Sequence, residues 1–468
     1  MTHVTVIGGG LAGLSASLFL ARRGHSVTLL ERDDDNPPAS PLDSFDHWRR
    51  RGVAQSRQSH AFLARSSKIL RTEAPDVLDA LIAEGAYCRP ASVAGVALDD
   101  DAIILAVRRL VYEAIFRSAV VKETAVELVT GVAVDGLIAE QNGGVPHVVG
   151  VHMSNGDEIR SGLVVDASGR HSRSPSWLSA VGCREVQEKK QECGFFYLTR
   201  WYRLKTDAEF PEFQPPTVAN LGYVSAMAFA ADNDHFSLTT VMSVEDPHRV
   251  SIRDGATFDR VMAEVPLIRD WIERGEPISE AEPLSRIDNR RRKLVDDSGP
   301  IVSGFLLLGD AAVHTNPTLG RGVSLAFMHA QHLAETAEQS EADPVRYSSE
   351  FSAWTSKNMG VWFTSQVAND AAALDRLRAS LRGESTTPQP TGEAARFTRA
   401  LFALASREPD VGLALARIGN LLISPLDIMA DQAVVSKVMA YLATDPDLTE
   451  SGEGPSRAEF EAIVGAAA

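Results

Sequence analysis

The chain opens with a short apolar run, His3 to Gly8, and then repeats apolar positions at helical spacing from Leu11 to Arg23 until Gly24. A second apolar run, Ser26 to Glu31, follows at once, so the opening is predicted to be a βαβ unit. Periodicity disappears from Asp33 to Ser59, where Pro, Asp, Ser and Arg dominate over a length that exceeds ordinary connections. A mobile loop is expected there. Two amphipathic helices (His60 to Arg71, Pro75 to Glu84), a strand (Val93 to Leu98) and a helix (Arg108 to Ala119) follow. The runs Val126 to Val134, His147 to Met153 and Ile159 to Asp166, separated by turn signals at Asn142-Gly143-Gly144 and Asn155-Gly156, predict a three-stranded antiparallel meander. From Gly194 the pattern turns β-rich and aromatic, with Phe195 to Leu204, Thr217 to Phe229 and His235 to Val244 as long strands of one antiparallel sheet in a candidate second domain. A helical stretch (Phe258 to Arg274), a strand (Phe305 to Leu308) and a helix (Val323 to Glu338) precede a remainder that reads helical from Ala342, with a polar linker at Arg382 to Thr391.

At 468 residues the chain is too long for one small module. Its 44% hydrophobic and 23% charged residues are those of a globular protein, and a formal net charge of −16 argues against nucleic acid as a partner. Cys88, Cys183 and Cys193 have no CxxC spacing and are too few for a disulfide framework. No apolar run reaches the ~18 residues of a membrane span, and the N-terminus lacks the charged region of a signal peptide. A cytoplasmic location is therefore expected.

Gly8-Gly9-Gly10-Leu11-Ala12-Gly13 satisfies GxGxxG and lies between the first strand and the first helix. In that motif Gly8 serves the tight turn, Gly10 lets a pyrophosphate approach the backbone, and Gly13 allows close packing of helix on strand. Glu31 ends the second strand at the distance where a carboxylate accepts hydrogen bonds from a ribose diol. Ala12 and Arg32 belong to the same candidate cofactor group. The motif alone does not distinguish FAD from NAD. Two further strands end in comparable turns, Asp166-Ala167-Ser168-Gly169 and Gly309-Asp310-Ala311-Ala312.

The three turns, in this order and at these distances, resemble the FAD-binding fingerprint of the p-hydroxybenzoate-hydroxylase-like flavoproteins over about residues 1–340. Within that group, Arg51-Gly52-Val53-Ala54-Gln55 with His60, the run from Asp166 to Leu178, and Asn316-Pro317-Thr318-Leu319-Gly320-Arg321-Gly322 are most similar to bacterial FAD-dependent monooxygenases and epoxidases of natural-product (antibiotic) pathways. The usual Pro of the first of these segments is Ala54 here.

The resemblance implies an α/β fold with a Rossmann-like FAD-binding domain (1–180 and 284–345), an antiparallel-sheet substrate domain (181–283) and a helical C-terminal region (346–468). It further implies that Asp166, Gly169, Gly309 and Asp310 serve the cofactor, Asp310 through the ribityl chain. Gly320, Arg321 and Gly322 would present a helix N-terminus to the flavin N1–C2=O edge. Arg109 opens a helix in an Arg-x-x-Tyr-Glu pattern and is implied to contact the phosphate or ribityl region, with Arg108 as the alternative.

The chemistry so implied is reduction of FAD by NAD(P)H or an external flavin reductase, reaction with O2 to a C4a-hydroperoxide, and oxygen transfer to a largely apolar small molecule in a dry site. His314 and Pro317 are the candidates beside the flavin ring, and Phe195, Tyr197 and Trp201 share the sheet face that would roof it. His47, Arg49, Arg57 and His60 are further ionisable candidates; Arg290 to Arg292 reads as a solvated basic face, with NAD(P)H phosphates or an anionic carrier as the alternative, and the apolar stretch Val411 to Ile423 reads as a packing face, with a cavity cap, a dimer face or a membrane contact as alternatives. Two other readings stay open, a geranylgeranyl-reductase-like dehydrogenase moving hydride at flavin N5 and a non-catalytic isoprenoid-binding escort protein. The tryptophan-halogenase motif W-x-W-x-I-P is missing, since none of the six tryptophans has a second Trp two residues on. The oligomeric state is left open.

Overall fold

The computed structural model describes residues 1–93, 96–99, 101–141, 144–212, 217–384, 392–448 and 452–465. The N-terminal pattern builds strand β1 (His3–Ile7), helix α1 (Leu11–Arg22) and strand β2 (Ser26–Glu31). Gly24, at φ +88°, turns the chain between helix and strand. β1 and β2 pair in parallel, Val4 opposite Val27, and both are buried along nearly their whole length, as strands covered on two faces must be.

The stretch 33–59, expected to be mobile, is instead anchored. Phe45, Trp48 and Arg50 in it are 5% exposed or less, and a single-turn helix, Ser44–His47, fixes its middle. Beyond it come α2 (Ala64–Glu73) and α3 (Pro75–Ala83). The expected strand 93–98 is divided between two-residue strands, Ser92–Val93 and Val96–Ala97. The longer ladder there pairs β3 (Tyr87–Pro90) with β4 (Ile103–Ala106) and leads to α4 (Arg109–Lys122).

The predicted meander needs correction at both ends. The run from Val126 stops at Thr130, forming β5 (Val126–Thr130), which joins β2 in the parallel sheet. Gly131, at φ +76°, then redirects the chain into β6 (Val134–Glu140). The last run likewise breaks at Ser161 and Gly162 into β8 (Glu158–Arg160) and β9 (Leu163–Asp166), with β9 parallel to β1. The actual meander is β6, β7 (His147–Met153) and β8. Asn142 and Gly143 of the expected turn lie outside the described residues, as do residues 385–391 of the expected linker.

After β10 (Gln187–Glu192), the aromatic segment forms an antiparallel sheet from β11 (Phe195–Leu204), β12 (Thr217–Asn220), β13 (Val224–Ala230) and β14 (His235–Ser243). The run from Thr217 folds back on itself as the β12–β13 hairpin, with Gly222 at φ +84° in its turn. Phe196, Leu198 and Tyr202 of β11 join Phe258, Ile268 and Trp271 in one core. Those last three come from α5 (Gly255–Ala263) and α6 (Pro266–Arg274), into which Pro266 divides the expected single helix.

Arg290 to Arg292 is not a solvated face. It lies in β15 (Asp288–Lys293), which pairs antiparallel with β10, and Arg292 is 3% exposed. Its guanidinium donates to Glu188 and to the carbonyls of Ala311 and Arg170. The chain then returns to the parallel sheet through β16 (Phe305–Leu307), giving the order β16-β9-β1-β2-β5.

Helix α7 (Gly322–Thr336) packs on α1, and α8 (Pro344–Asn358), α9 (Gly360–Leu381), α10 (Glu393–Ala405) and α11 (Pro409–Gly419) follow. Val411 and Ala414 of the C-terminal apolar stretch are buried against α10, and Leu421 enters a core with Trp362. No helix among the described residues is long and apolar enough to cross a membrane.

Candidate functional site

The strand ends β1, β2 and β9, the helix starts α1 and α7, the antiparallel sheet and the helices α9 to α11 enclose one cavity of about 1930 Å³. Six glycines of the turns and helix starts around it fall into two kinds. Gly8 has φ +102°, and a Cβ there would lie 2.8 Å from the Ala167 carbonyl oxygen. A Cβ on Gly13 would collide with the Gly8 carbonyl, and one on Gly309, at φ +57°, would lie 2.9 Å from Ala12 Cβ. Gly8 and Gly309 let the first turn touch the other two, and Gly13 lets the first turn close against its own helix. Gly10, Gly169 and Gly322 differ, because a Cβ on any of them would meet nothing within 4 Å, and all three line the cavity. Helices α1 and α7 start there without a side-chain cap and without an acid in the first turn, so their free N–H groups and positive ends face open space.

Glu31 lines the cavity within a buried charge network. Its Oε2 accepts from Gly9 N and from Arg50 Nη2, both at 3.0 Å, and its Oε1 accepts from Asp33 N at 2.9 Å. Arg50 also donates to Glu113 at 2.7 Å, to Asp33 at 3.2 Å and to the Gly9 carbonyl at 3.0 Å. Glu113 in turn accepts from Arg109 Nη2 at 3.0 Å, and Arg109 Nη1 reaches His60 Nε2 at 3.4 Å. Burial pulls the Arg50 guanidinium down, but Glu113 and Glu31 outweigh it and hold the cation firmly charged. Burial alone would raise the Glu113 carboxyl. Arg50 and Arg109 reverse this and bring it below its ordinary value. His60 directs Nδ1 to the Gln58 carbonyl at 2.9 Å, which leaves Nε2 as the acceptor for Arg109, and burial beside that cation lowers its pKa to about 3. Arg109 is the cavity arginine of the pair, whereas Arg108 is engaged by Asp232 at 2.7 Å.

Asp166 does not line the cavity. Fully buried, its carboxylate accepts from Ser168 N at 2.9 Å, Ser168 Oγ at 2.6 Å and Ser172 Oγ, and so shapes the turn that presents Gly169. Burial pushes this carboxyl up, against the serine hydrogen bonds. Asp310, His314, Pro317 and Arg32 are in the cavity wall. His314 Nδ1 bonds the Asp288 carbonyl at 2.6 Å, and Nε2 lies 3.9 Å from Asp310. Of the aromatic candidates, Phe195 and Tyr197 line the cavity, and the Tyr197 hydroxyl donates to Asn316 Oδ1 at 2.5 Å. Trp201 is on the same face but beyond the cavity, against Phe45 at 5.2 Å, with Nε1 donating to the Arg57 carbonyl at 2.7 Å. His47 and Arg49 are exposed away from the site, and Arg57 pairs with Glu282 at 3.1 Å.

Sequence reasoning missed Arg50, whose only signal was an arginine triplet in an aperiodic stretch. It also missed a second buried cluster, in which Asp370 of α9 accepts from Asn289 at 2.7 Å, Asn316 at 2.9 Å and Gln366 at 2.8 Å. That cluster ties the segment carrying Asn316 and Pro317 to β15 and to the C-terminal helices.

Comparison with known proteins follows the same lines. A family model described as an FAD binding domain matches residues 1–338. The chain belongs to the FAD binding domain family. Among curated relatives of this FAD-binding protein, Protein Rv3254 of Mycobacterium tuberculosis is 25% identical over 360 residues, covering 71% of this chain and 72% of that protein. Among solved structures, the flavin-dependent brominase Bmp2 superposes with a TM-score of 0.62 at 17% identity, over 95% of this chain and 99% of that one. OxyS anhydrotetracycline hydroxylase from Streptomyces rimosus gives 0.57 at 18% identity, over 90% and 76%. At such identities the likeness establishes the fold, which is that of the p-hydroxybenzoate-hydroxylase-like FAD-dependent monooxygenases. The chain is thus a flavin-dependent oxidoreductase by family.

Proposed function

We propose that this protein hydroxylates or epoxidises a largely apolar small molecule, using FAD, O2 and electrons from NAD(P)H or a separate flavin reductase. The observation that carries the reading is the set of open glycines Gly10, Gly169 and Gly322 beside two uncapped helix starts, in a cavity that is also lined by Phe195, Met227 and Phe229. The residues present fit FAD. The N–H groups at the start of α1 would receive the pyrophosphate, Glu31 the ribose diol, Asp310 the ribityl chain, and the backbone N–H groups at the start of α7, not the Arg321 side chain, the ring edge that gains negative charge on reduction. Bound there, FAD supplies the activation of dioxygen.

The chain's own contribution is position and exclusion of water. Arg50 and Gly9 hold the Glu31 carboxylate in place, and Glu113 orients Arg109 toward the cavity. Asn316 and Thr318 hold the Tyr197 hydroxyl, and the apolar side chains of β11 and β13 keep their part of the cavity dry. In this reading residues 1–180 and 284–345 form the cofactor half, 181–283 the roof, and 346–468 the far wall.

The test is isotopic. FAD-loaded protein, given NADH, a flavin reductase and a panel of apolar alkenes and phenols under 18O2, should yield a product carrying one 18O atom. Products lacking two hydrogens with no label gained would make it a dehydrogenase instead, and protein that takes up no flavin would end both readings.

A further inference from the structure

Arg321 is the N-cap residue of α7, lines the cavity and is 5% exposed. Among the described residues its guanidinium donates one hydrogen bond, from Nη1 to Gln366 Oε1 at 3.3 Å, and its Nε has no partner at all. The indole of Trp362 packs against it, 4.9 Å from the guanidinium carbon to the ring centre. Arg50 and Arg109 of the same cavity each have a carboxylate within 3.0 Å. Arg321 has none at ion-pair distance among the described residues.

The acid acting on Arg321 is Asp370, and Gln366 bonds to both. Its amide oxygen faces the guanidinium, while its Nε2 donates to Asp370 at 2.8 Å. Asp370 also accepts from Asn289 and Asn316, so three of its roughly four acceptor sites are taken. Burial lowers the Arg321 pKa to about 10, which still leaves it a cation at neutral pH. A buried cation without a counter-ion is unfavourable, and a ligand anion in the cavity would relieve it.

The place of Arg321 indicates what brings that anion. Its neighbours Trp362 and Gln366 come from α9, beyond the residues 1–338 matched as the FAD binding domain, and the adjoining wall continues through Ile418 and Leu415 of α11. We propose that Arg321 binds an acidic oxygen, carboxylate or phenolate, of an otherwise apolar substrate, and so fixes which end of it enters the cavity. The inference rests on the function proposed above and narrows the substrate to an amphipathic organic acid. An apolar cavity with a few convergent polar groups selects such a molecule by its one charged end.

The test compares 4-octylbenzoate with its uncharged counterpart 4-octylbenzamide on FAD-loaded protein. Binding is followed by the difference spectrum of bound flavin and, with or without flavin, by intrinsic tryptophan fluorescence, in which the share of Trp362 beside Arg321 is assigned from a Trp362→Phe control, because five other tryptophans also emit. The acid should bind at least tenfold more tightly than the amide. Arg321→Gln should erase that ratio while keeping its flavin and its resistance to urea, since it removes an uncompensated buried charge, and Arg321→Lys should restore part of it. Equal or absent binding of the two probes overturns the inference, as does a loss of flavin in Arg321→Gln, which would assign the guanidinium to the cofactor. Wild-type protein without flavin would refute the function proposed above, yet tryptophan fluorescence would still read the preference for acid over amide.

Discussion

Two glycines of one motif, three residues apart, should fail in opposite ways when given a methyl group. At Gly13 the new Cβ falls on the Gly8 carbonyl oxygen, and Gly8 cannot yield, because its φ is +102° and its N–H is held by the Leu30 carbonyl at 2.7 Å. Overpacking of this kind costs about 1–3 kcal/mol and sometimes more, and the rigidity of the partner puts Gly13→Ala at about 3 kcal/mol. At Gly10 the methyl meets nothing within 4 Å, and the backbone, at φ −80° and ψ 179°, suits any residue. A weaker N-cap costs about 0.5–1 kcal/mol and a stiffer unfolded chain returns about 0.4–1 kcal/mol, so the apoprotein should keep its stability. The methyl instead occupies space that the pyrophosphate needs, and FAD affinity should fall at least tenfold, about 1.4 kcal/mol. Urea unfolding of the apoproteins followed by tryptophan fluorescence, together with FAD titrations, separates the two outcomes. A Gly10→Ala protein that binds FAD like the wild type, or a Gly13→Ala protein of unchanged stability, would refute the division of the glycines into packing and cradle positions.

Arg50→Met should lose about 3–5 kcal/mol of stability in urea, because Glu31, Asp33 and Glu113 are left buried without their shared cation. Glu113 sits below its ordinary value in the folded protein, so its contribution is complete above the usual glutamate range and is lost as pH falls through the lowered value. Without Arg50 the folded-state value moves back up toward or past the ordinary one, so this acid-dependent loss should shrink or vanish, and a titration in which it keeps its full size would contradict the network. His329, 1% exposed and stacked on Phe351, is held neutral with a pKa lowered to about 3 by burial. The unfolded chain binds its proton near pH 6.5, so stability should fall by about 1.4 kcal/mol per pH unit between there and pH 3 on account of this residue. Urea midpoints of wild type and His329→Asn between pH 7 and 5 should show one proton less in the slope of the variant.

The sequence disclosed what depends on neighbours along the chain. The βαβ opening was legible because two apolar runs flank a helical period closed by Gly24, and the roof because β11 alternates its side chains. The three turns could be paired in advance because each follows an apolar strand. What stayed hidden depends on partners far along the chain. Arg50 is fixed by Glu113, sixty-three residues on, so a stretch that looked loose is pinned. An apolar run does not record a change of sheet, which is why Gly131 and Gly162 each divide a strand that reads as one. Gln366 and Asp370 are single polar positions on a mixed helix and look like its wet side until Asn289 and Asn316 are seen against them. Alternation put Trp201 on the correct face but carried no information on how far along β11 the cavity extends. Arg290 to Arg292 misled because consecutive charges suggest solvent, while a strand sends them to both faces.

β11 borders two interiors at once, with Phe195 and Tyr197 toward the cavity and Phe196 and Leu198 toward the helix-backed core. Selection can therefore recut the chamber through alternate letters of a single strand while the intervening letters go on holding the molecule together. New molecular tastes become reachable by point changes, whereas a frame slip of one residue would exchange the two linings and forfeit both.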